Sequence, residues 1–145
     1  MNAIELLKQD HVQAIRLIEQ LENGGDQLRG ANLERFGRLK AALSLHTIVE
    51  EQAFYHALAN REETTDLIKD AYSEHRKVDE LMIKLTQPSE KWKSHLRDLK
   101  SELQRHIDRE EREIFPKAQR LLGDVRFHEI GREIKNIKEG KARTA

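Results

Sequence analysis

Two copies of one helical motif supply most of the residues in this sequence that could do chemistry. His46 and Glu50 stand four residues apart, and His106 and Glu110 repeat that spacing in the second half of the chain. Four residues of α-helix turn through about 400° and rise about 6 Å, so each pair projects from one side of its helix. Imidazole nitrogen and carboxylate oxygen both bind first-row transition metals. Each pair could therefore give two donors to a metal site.

A further histidine precedes each motif and directly follows an acidic residue, as Asp10-His11 and as Glu74-His75. Similar lengths of chain separate these two histidines from the His-x-x-x-Glu motif that comes next. Two helices joined by a short turn would bring the lone histidine of one helix level with the motif of the other. We therefore expect two similar half-sites that meet at one depth in the fold.

The six residues lie on the apolar stripes of their predicted helices, which places two carboxylates in the core. A buried carboxylate costs several kcal/mol unless it is neutralised, and no lysine or arginine occupies those stripes nearby. We predict two iron ions, joined by an oxo or hydroxo bridge, with manganese or zinc as possible substitutes. The predicted ligands are His11 and His46 on one ion, His75 and His106 on the other, and Glu50 and Glu110 bridging both.

The elements that must position these residues are predicted to be helices throughout. Apolar residues recur every three or four positions, without a convincing run of strand-like alternation. Turn signals lie at residues 23–25 and at Pro88, and Pro116 predicts a kink or an early break. The sequence therefore predicts an all-α, up-down-up-down antiparallel four-helix bundle over residues 1–122. A short extra helix and a frayed basic tail are predicted over residues 123–145.

Composition excludes several classes of site and partner. The 145 residues contain no cysteine, so thiolate metal sites, disulfides and cysteine nucleophiles are excluded. Lysine and arginine number 26, as do aspartate and glutamate, so charge gives no argument for nucleic acid or a membrane surface. We find no signal peptide, membrane-length apolar run or lipidation motif and expect a cytoplasmic protein. The sequence does not identify a protein partner.

As a set, the motifs resemble the hemerythrin-like, or HHE cation-binding, domain family from Asp10 to about Phe115. The trailing Glu-Ile-Phe-Pro of residues 113–116 is also similar to that family. The resemblance implies a four-helix bundle around a non-haem diiron centre. The residues that carry it are His11, His46-x-x-x-Glu50, Glu74-His75 and His106-x-x-x-Glu110.

The chain departs from the oxygen-carrying hemerythrins, which place a fifth histidine one turn from the position of His75. Here Ala71 and Asp79 occupy the positions one turn away, and His106-x-x-x-Glu110 stands where those proteins have His-x-x-x-x-Asp. The set of four histidines and two glutamates is similar to the diiron domain of iron-centre repair proteins associated with nitric oxide stress. Many of those proteins carry an N-terminal cysteine segment that this chain lacks.

The resemblance and the open coordination positions together predict a protein that handles O2, NO or peroxide. It would act as an oxidative-stress sensor, a redox protein, or an iron-centre repair protein or iron donor. One alternative is a peroxidase-like, catalase-like or oxidase enzyme, and another is reversible oxygen binding or storage. Tyr72, one turn before His75, could border the pocket, which would favour the enzyme, although packing in the core is the simpler interpretation.

Less specific interpretations apply to other polar residues. A helical bundle with incidental core histidines is the simplest alternative, and ferritin-type sites are disfavoured because no histidine follows a glutamate by three residues. We expect Asp10 and Glu74 either to orient histidines or to be surface acids. Glu51 and Glu111 are expected to be solvated or to support ligands. His56, His95 and His128 are predicted not to be ligands.

Overall fold

Four long helices make up the bundle, and two of them contain a π-helical segment. The computed structural model describes residues 2–25 and 27–144. Within those ranges no strand occurs, so the predicted all-α class is confirmed. In chain order the elements are α1 (Ala3–Glu22), α2 (Ala31–Val49), π1 (Glu50–Tyr55), α3 (His56–Leu58), α4 (Thr65–Leu85), α5 (Trp92–Arg109), π2 (Glu110–Ile114) and α6 (Phe115–Thr144).

Short connections place neighbouring helices side by side and antiparallel. α1 packs against α2, α4 against α5, and α1 also against α5, while α6 returns to pack on α1. The α2, π1 and α3 elements follow one another without a break, as do α5, π2 and α6. The predicted up-down-up-down bundle with an additional C-terminal helix is confirmed. None of the described helices is both long and apolar enough to cross a membrane.

Local hydrogen bonds fix the ends of the helices. The side chain of Asn2 accepts from the backbone N–H of Glu5 at 3.0 Å and so caps the start of α1. Gly25, with φ of 114°, allows the chain to reverse after α1. In the turn between α4 and α5, the buried indole N–H of Trp92 donates to the carbonyl of Leu85 at 2.9 Å. These contacts fix the start of α1 and the turns that follow α1 and α4.

The apolar core is divided into two clusters. The first cluster gathers residues from the start of α1, from π1 and α3, from the start of α4 and from π2 and α6. The second cluster gathers the later part of α1 and α4 with the earlier part of α2 and α5. Between the two lie six buried polar residues, which we call the polar layer: His11, His46, Glu50, His75, His106 and Glu110.

Both π-helical segments begin at the glutamate of a His-x-x-x-Glu motif, which the sequence periodicity did not predict. π1 begins at Glu50 and π2 at Glu110. Pro116 follows π2, and its missing N–H leaves the carbonyl of Arg112 without an α-helical partner. The helix nevertheless continues from π2 into α6 at this point instead of breaking. No proline lies in π1, so proline is not the shared cause of the two segments.

α6 contains a kink at Gly123, whose φ of 77° and ψ of 170° are outside the helical region. Beyond it, Phe127, Ile130 and Ile134 are buried in the first cluster, so this part of α6 shares the core of the bundle. The helix extends to Thr144, further than the sequence indicated. The division at residue 123 and the frayed tail over 141–145 stay predictions, and Ala145 lies outside the described residues.

We predict that Gly123→Ala lowers the free energy of unfolding by about 1–3 kcal/mol, because its backbone conformation is essentially confined to glycine. The measurement is urea denaturation followed by circular dichroism. Gly37→Ala is the matched control, since Gly37 is exposed inside α2 and an added Cβ meets no atom within 4 Å. The control is expected to gain about 0.5–1 kcal/mol. Equal changes in both variants would contradict a strained turn at Gly123.

Candidate metal centre

The fold brings all six residues of the polar layer together. α1, α2, α4 and α5 each supply one histidine, and each π-helical segment supplies one glutamate. Their donor atoms fall into two groups, in each of which all atoms lie within 4.8 Å of one another. The first group is His11, His46, Glu50 and Glu110, and the second is Glu50, His75 and His106. The grouping matches the predicted pairs of histidines, and Glu50 belongs to both groups.

The Nε2 atoms of the four histidines point inward, towards the two carboxylates. His11 Nε2 lies 2.9 Å from Glu110 Oε1, and His46 Nε2 lies 3.1 Å from Glu50 Oε1. On the other side, His75 Nε2 lies 3.0 Å from Glu50 Oε1, and His106 Nε2 lies 3.5 Å from Glu110 Oε2. Each carboxylate thus reaches histidines of both halves of the chain, the geometry that a bridging ligand needs.

Most of these inward atoms are buried and make no hydrogen bond of good geometry among the described residues, although they lie at ion-pair distance from one another. They are the Nε2 atoms of His11, His46 and His106, Oε2 of Glu50 and Oε1 of Glu110. A buried polar atom without a partner costs about 1–3 kcal/mol, and more where it is charged. Metal ions in this small volume would bond to all five atoms, which the contacts between imidazoles and carboxylates leave without good hydrogen-bond geometry. The residues present therefore fit a two-metal group.

The Nδ1 atoms of the four histidines point outward, and each contacts a carboxylate. The pairs within one half of the chain are His46 with Asp10 at 2.9 Å and His106 with Glu74 at 2.8 Å. The pairs between halves are His11 with Glu111 at 2.7 Å and His75 with Glu51 at 2.7 Å. A carboxylate on one ring nitrogen fixes the tautomer that presents the other nitrogen to a metal.

These contacts settle where the four supporting acids lie. Asp10 and Glu74 are not surface acids, and each orients a histidine on the next long helix rather than its own sequence neighbour. Glu51 and Glu111 reach the outer edge of histidines in the opposite half. The sequence identified all four acids but not their pairing, because the pairing depends on how the helices pack.

The charged residues of the polar layer shift one another's pKa values. Burial acts to lower the pKa of His46, but the charge of Glu50 and the hydrogen bond with Asp10 outweigh it and raise that pKa to about 10. Burial likewise opposes ionisation of Glu50, yet the neighbouring histidines hold its pKa well below the usual value. Protonated His46 and His106 thus offset the charge of Glu50 where no metal does so. Metal binding must displace those protons, because a ligating imidazole is neutral.

Tyr55 is a site residue that the sequence reading missed. Its hydroxyl donates to Glu110 Oε2 through a short hydrogen bond, and it lies 3.2 Å from Glu50 Oε1 and 3.3 Å from His75 Nε2. In a regular α-helix, a residue five positions after Glu50 points away from it. In a π-helix the hydrogen bond runs from residue i to i+5, so Tyr55 lies one turn on, over Glu50.

Tyr72, for which the sequence left open a place beside the pocket or in the core, is separated from the polar layer by Tyr55. Its ring packs edge-on against the ring of Tyr55, with centroids 5.5 Å apart. No hydrogen bond joins its hydroxyl to the polar layer within residues 2–25 and 27–144. Tyr55 therefore takes the position beside the pocket that was one of two interpretations for Tyr72.

Asp10 and Glu74, the two acids that pair with a histidine in their own half of the chain, each also contact a basic side chain. Glu74 accepts from Arg109 at 3.4 Å, three residues after His106 on the same helix. The equivalent position after His46 is Val49, which is buried and apolar. In this half the cation comes from α6, where Lys138 Nζ lies 2.6 Å from Asp10 Oδ1. The C-terminal helix therefore completes the first half-site.

The remaining three histidines of the chain lie outside both groups of donors. His56 and His128 are exposed, and His95 is partly buried on α5 within the other half of the bundle. The positions that could hold a fifth histidine are Ala71, which is buried in the first cluster, and Asp79. Among the described residues, no fifth imidazole faces the polar layer.

A model of the hemerythrin HHE cation-binding domain matches residues 2–118 of this sequence. The chain belongs to that family. Its fold is similar to the crystal structure of a hemerythrin HHE cation-binding domain-containing protein from Mycobacterium kansasii, with a TM-score of 0.83 and 27% sequence identity. The match covers 96% of this chain and 86% of the other, so it extends well beyond residue 118. No protein of curated function matches the sequence significantly.

Membership of this family implies metal binding, and the cluster of histidines and glutamates fits a metal site. The matched residues include all six members of the polar layer. Lys138 lies beyond the matched residues, although the similarity of fold extends over nearly the whole chain.

We predict that Lys138→Met weakens metal binding, by up to the roughly 10–100-fold that loss of a supporting group costs, because Asp10 is then free to turn away from His46. Competition with a chelator measures the affinity, and histidine 15N chemical shifts report the tautomer of His46. Lys135→Met is the control, since Lys135 is exposed one turn earlier on α6. Indistinguishable affinities in the two variants would remove α6 from the site.

Proposed function

We propose that this protein is a non-haem diiron protein that reacts with O2, NO or peroxide. The observation that carries the proposal is the convergence of four buried imidazole Nε2 atoms and two buried carboxylates in two groups of donors that share Glu50. His11 and His46 would hold one ion, and His75 and His106 the other. Glu50 and Glu110 would bridge them. This assignment leaves coordination positions for a solvent-derived bridge and for a small exogenous ligand.

Two ions, rather than one, account for the extent of the polar layer. The two groups of donors share Glu50, and Glu110 contacts histidines of both groups. Each group offers two imidazoles and reaches both carboxylates, so the layer would accommodate a pair of cations joined by an oxo or hydroxo bridge. The bridge and the open positions are parts of the proposal.

The donor set is compatible with iron but does not select it over other metals. Imidazole with carboxylate suits iron, manganese and zinc, and the chain offers no thiolate that would favour softer ions. The family of cation-binding domains to which the chain belongs supports iron. We therefore propose iron as the native metal and manganese or zinc as substitutes.

When bound, iron would change oxidation state and would act as a Lewis acid towards a small ligand. The protein's own residues would orient the metal ligands and exclude water from the site. The supporting acids hold the imidazole rings in one orientation, and the two apolar clusters exclude water from both ends of the layer. On the side of α6, the ring of Phe115 stacks on His11 with centroids 6.0 Å apart, and Phe54 packs against Phe115.

A sensing, redox or iron-repair role agrees best with these features. Apolar clusters cover the site at both ends of the polar layer. The absence of an imidazole at Ala71 and Asp79 disfavours the reversible oxygen binding that a fifth histidine accompanies. An intracellular role in oxidative or nitric oxide stress belongs to the same proposal, without a membrane or nucleic-acid partner.

A second candidate, peroxide turnover, is favoured by Tyr55. Its hydroxyl contacts Glu50, Glu110 and His75, so it would lie close to a small molecule bound to the metals. Burial, together with the charges of Glu110 and Glu50, raises the pKa of Tyr55 well above its usual value, so the phenol keeps its proton. A protonated phenol at this position can donate hydrogen to a bound small molecule.

We predict that Glu110→Ala loses most of its bound iron, because the variant lacks a donor that reaches histidines of both halves. Glu111→Ala is the matched neighbour, since Glu111 contacts only the outer edge of His11. It is expected to keep iron with affinity lowered by roughly 10–100-fold. Metal analysis of freshly purified protein measures both. Equal iron contents would overturn the bridging assignment.

The function itself is tested by stopped-flow mixing of the reduced iron-loaded protein with O2, NO and peroxide. A tight nitrosyl spectrum or release of iron supports the sensing or repair role, and sustained consumption of peroxide supports the enzyme. A fully reversible oxygen spectrum would replace both with oxygen storage. If iron is bound and none of the three molecules changes the absorption spectrum, the proposed reactivity is wrong.

A further inference from the structure

We propose that Tyr55 and Tyr72 form a relay that carries reducing equivalents, one at a time, from a one-electron reductant at the surface to the metal centre. The inference rests on the proposed metal centre and adds a route and a class of co-substrate to it. The co-substrate would be a small reductant that gives up a hydrogen atom, such as ascorbate or a phenol.

The inner member of the relay touches the polar layer directly. Tyr55 is completely buried, and its hydroxyl donates to Glu110. Its ring also stacks on His75, with centroids 5.3 Å apart and planes 26° apart. Tyr55 is thus coupled to both halves of the proposed site, through a hydrogen bond on one side and a ring contact on the other.

The outer member connects Tyr55 to solvent. The rings of Tyr72 and Tyr55 lie with centroids 5.5 Å apart and planes at 70°, within the range of direct aromatic contact. Tyr72 is only partly buried. Its partial burial and the charge of Glu51 raise its pKa, so this phenol also carries a proton at neutral pH. An electron therefore needs one step between rings to pass from a partly exposed phenol to a buried one.

No other oxidisable ring offers an equivalent path. The chain contains two tyrosines and one tryptophan. Trp92 belongs to the second cluster, whereas Tyr55 belongs to the first. The other aromatic rings that pack near the centre are those of Phe54 and Phe115, which are much harder to oxidise. Both tyrosines of the protein are therefore in the one place where a relay needs them.

Peroxide is the oxidant in this scheme, and the atoms and electrons balance. When peroxide draws an electron from Tyr55, the phenolic proton moves along the hydrogen bond to Glu110. Tyr72 then returns an electron to Tyr55, which regains its proton, and Tyr72 releases its own proton to water. Ascorbate gives a hydrogen atom to the Tyr72 radical. Two such events, with the two released protons taken up at the centre, reduce one hydrogen peroxide to two waters and yield two ascorbyl radicals.

The test is freeze-quench electron paramagnetic resonance of the iron-loaded protein mixed with hydrogen peroxide, with and without ascorbate. The wild type is expected to form a tyrosyl radical that ascorbate removes quickly. Tyr72→Phe is expected to keep the radical on Tyr55 but to lose most of its quenching by ascorbate. Tyr55→Phe is expected to lose the early radical. Without ascorbate, mass spectrometry is expected to find oxidation products in the wild type on Tyr72 rather than on Tyr55.

Tyr72→Trp is the conservative control, because an indole also donates an electron, and it is expected to restore quenching. Trp92→Phe controls for loss of an oxidisable ring elsewhere and is expected to behave as the wild type. Iron content and the absorption spectrum of each sample show whether the metal centre is intact. If Tyr72→Phe binds iron normally and its radical decays with ascorbate as fast as in the wild type, the relay is wrong. Failure of the wild type to bind iron would instead overturn the proposed function.

Discussion

The structure depends on one constraint, the burial of two carboxylates among four imidazoles between two apolar clusters. Glu50 and Glu110 are entirely inaccessible to solvent, and leaving such charges uncompensated costs several kcal/mol each. The fold meets this cost at the centre with histidines whose raised pKa values reflect it, and it provides the geometry in which cations would replace those protons. The buried carboxylates, which lower the stability of the fold when uncompensated, are therefore also the groups that make a metal site possible.

The outer contacts show how the bundle keeps this arrangement in place. Each histidine is held at its Nδ1 by a carboxylate, and the four pairs link all four long helices. Two pairs close a hairpin within one half, and the other two join the halves. The network is nearly symmetric, except for the cations that contact its acids. In the second half Arg109 of α5 contacts Glu74, whereas in the first half Lys138 of α6 contacts Asp10. The extra helix is thus the means by which an imperfect internal repeat is completed.

The π-helical segments connect the backbone to the chemistry. Each begins at a glutamate of the polar layer, and π1 changes the direction of the side chains that follow it. Tyr55 reaches the centre for this reason, although regular helical spacing places it on another face. π-helical turns are often found at functional sites, where they re-aim a side chain at some cost in backbone stability. Here the turn adds a redox-active phenol to an otherwise carboxylate and imidazole site.

The sequence by itself determined the helical class, the antiparallel topology and the identity of the six residues in the polar layer. These follow from short-range spacing, since the position of a residue on a helix face is set by the residues within one or two turns. The family resemblance, carried by the same residues, is confirmed by the match over residues 2–118. The tertiary structure alone decided which acid supports which histidine, that Tyr55 rather than Tyr72 contacts the centre, and that Lys138 reaches Asp10. Those contacts join residues up to 128 positions apart or depend on a local change of helical pitch, and neither leaves a periodic signal in the chain.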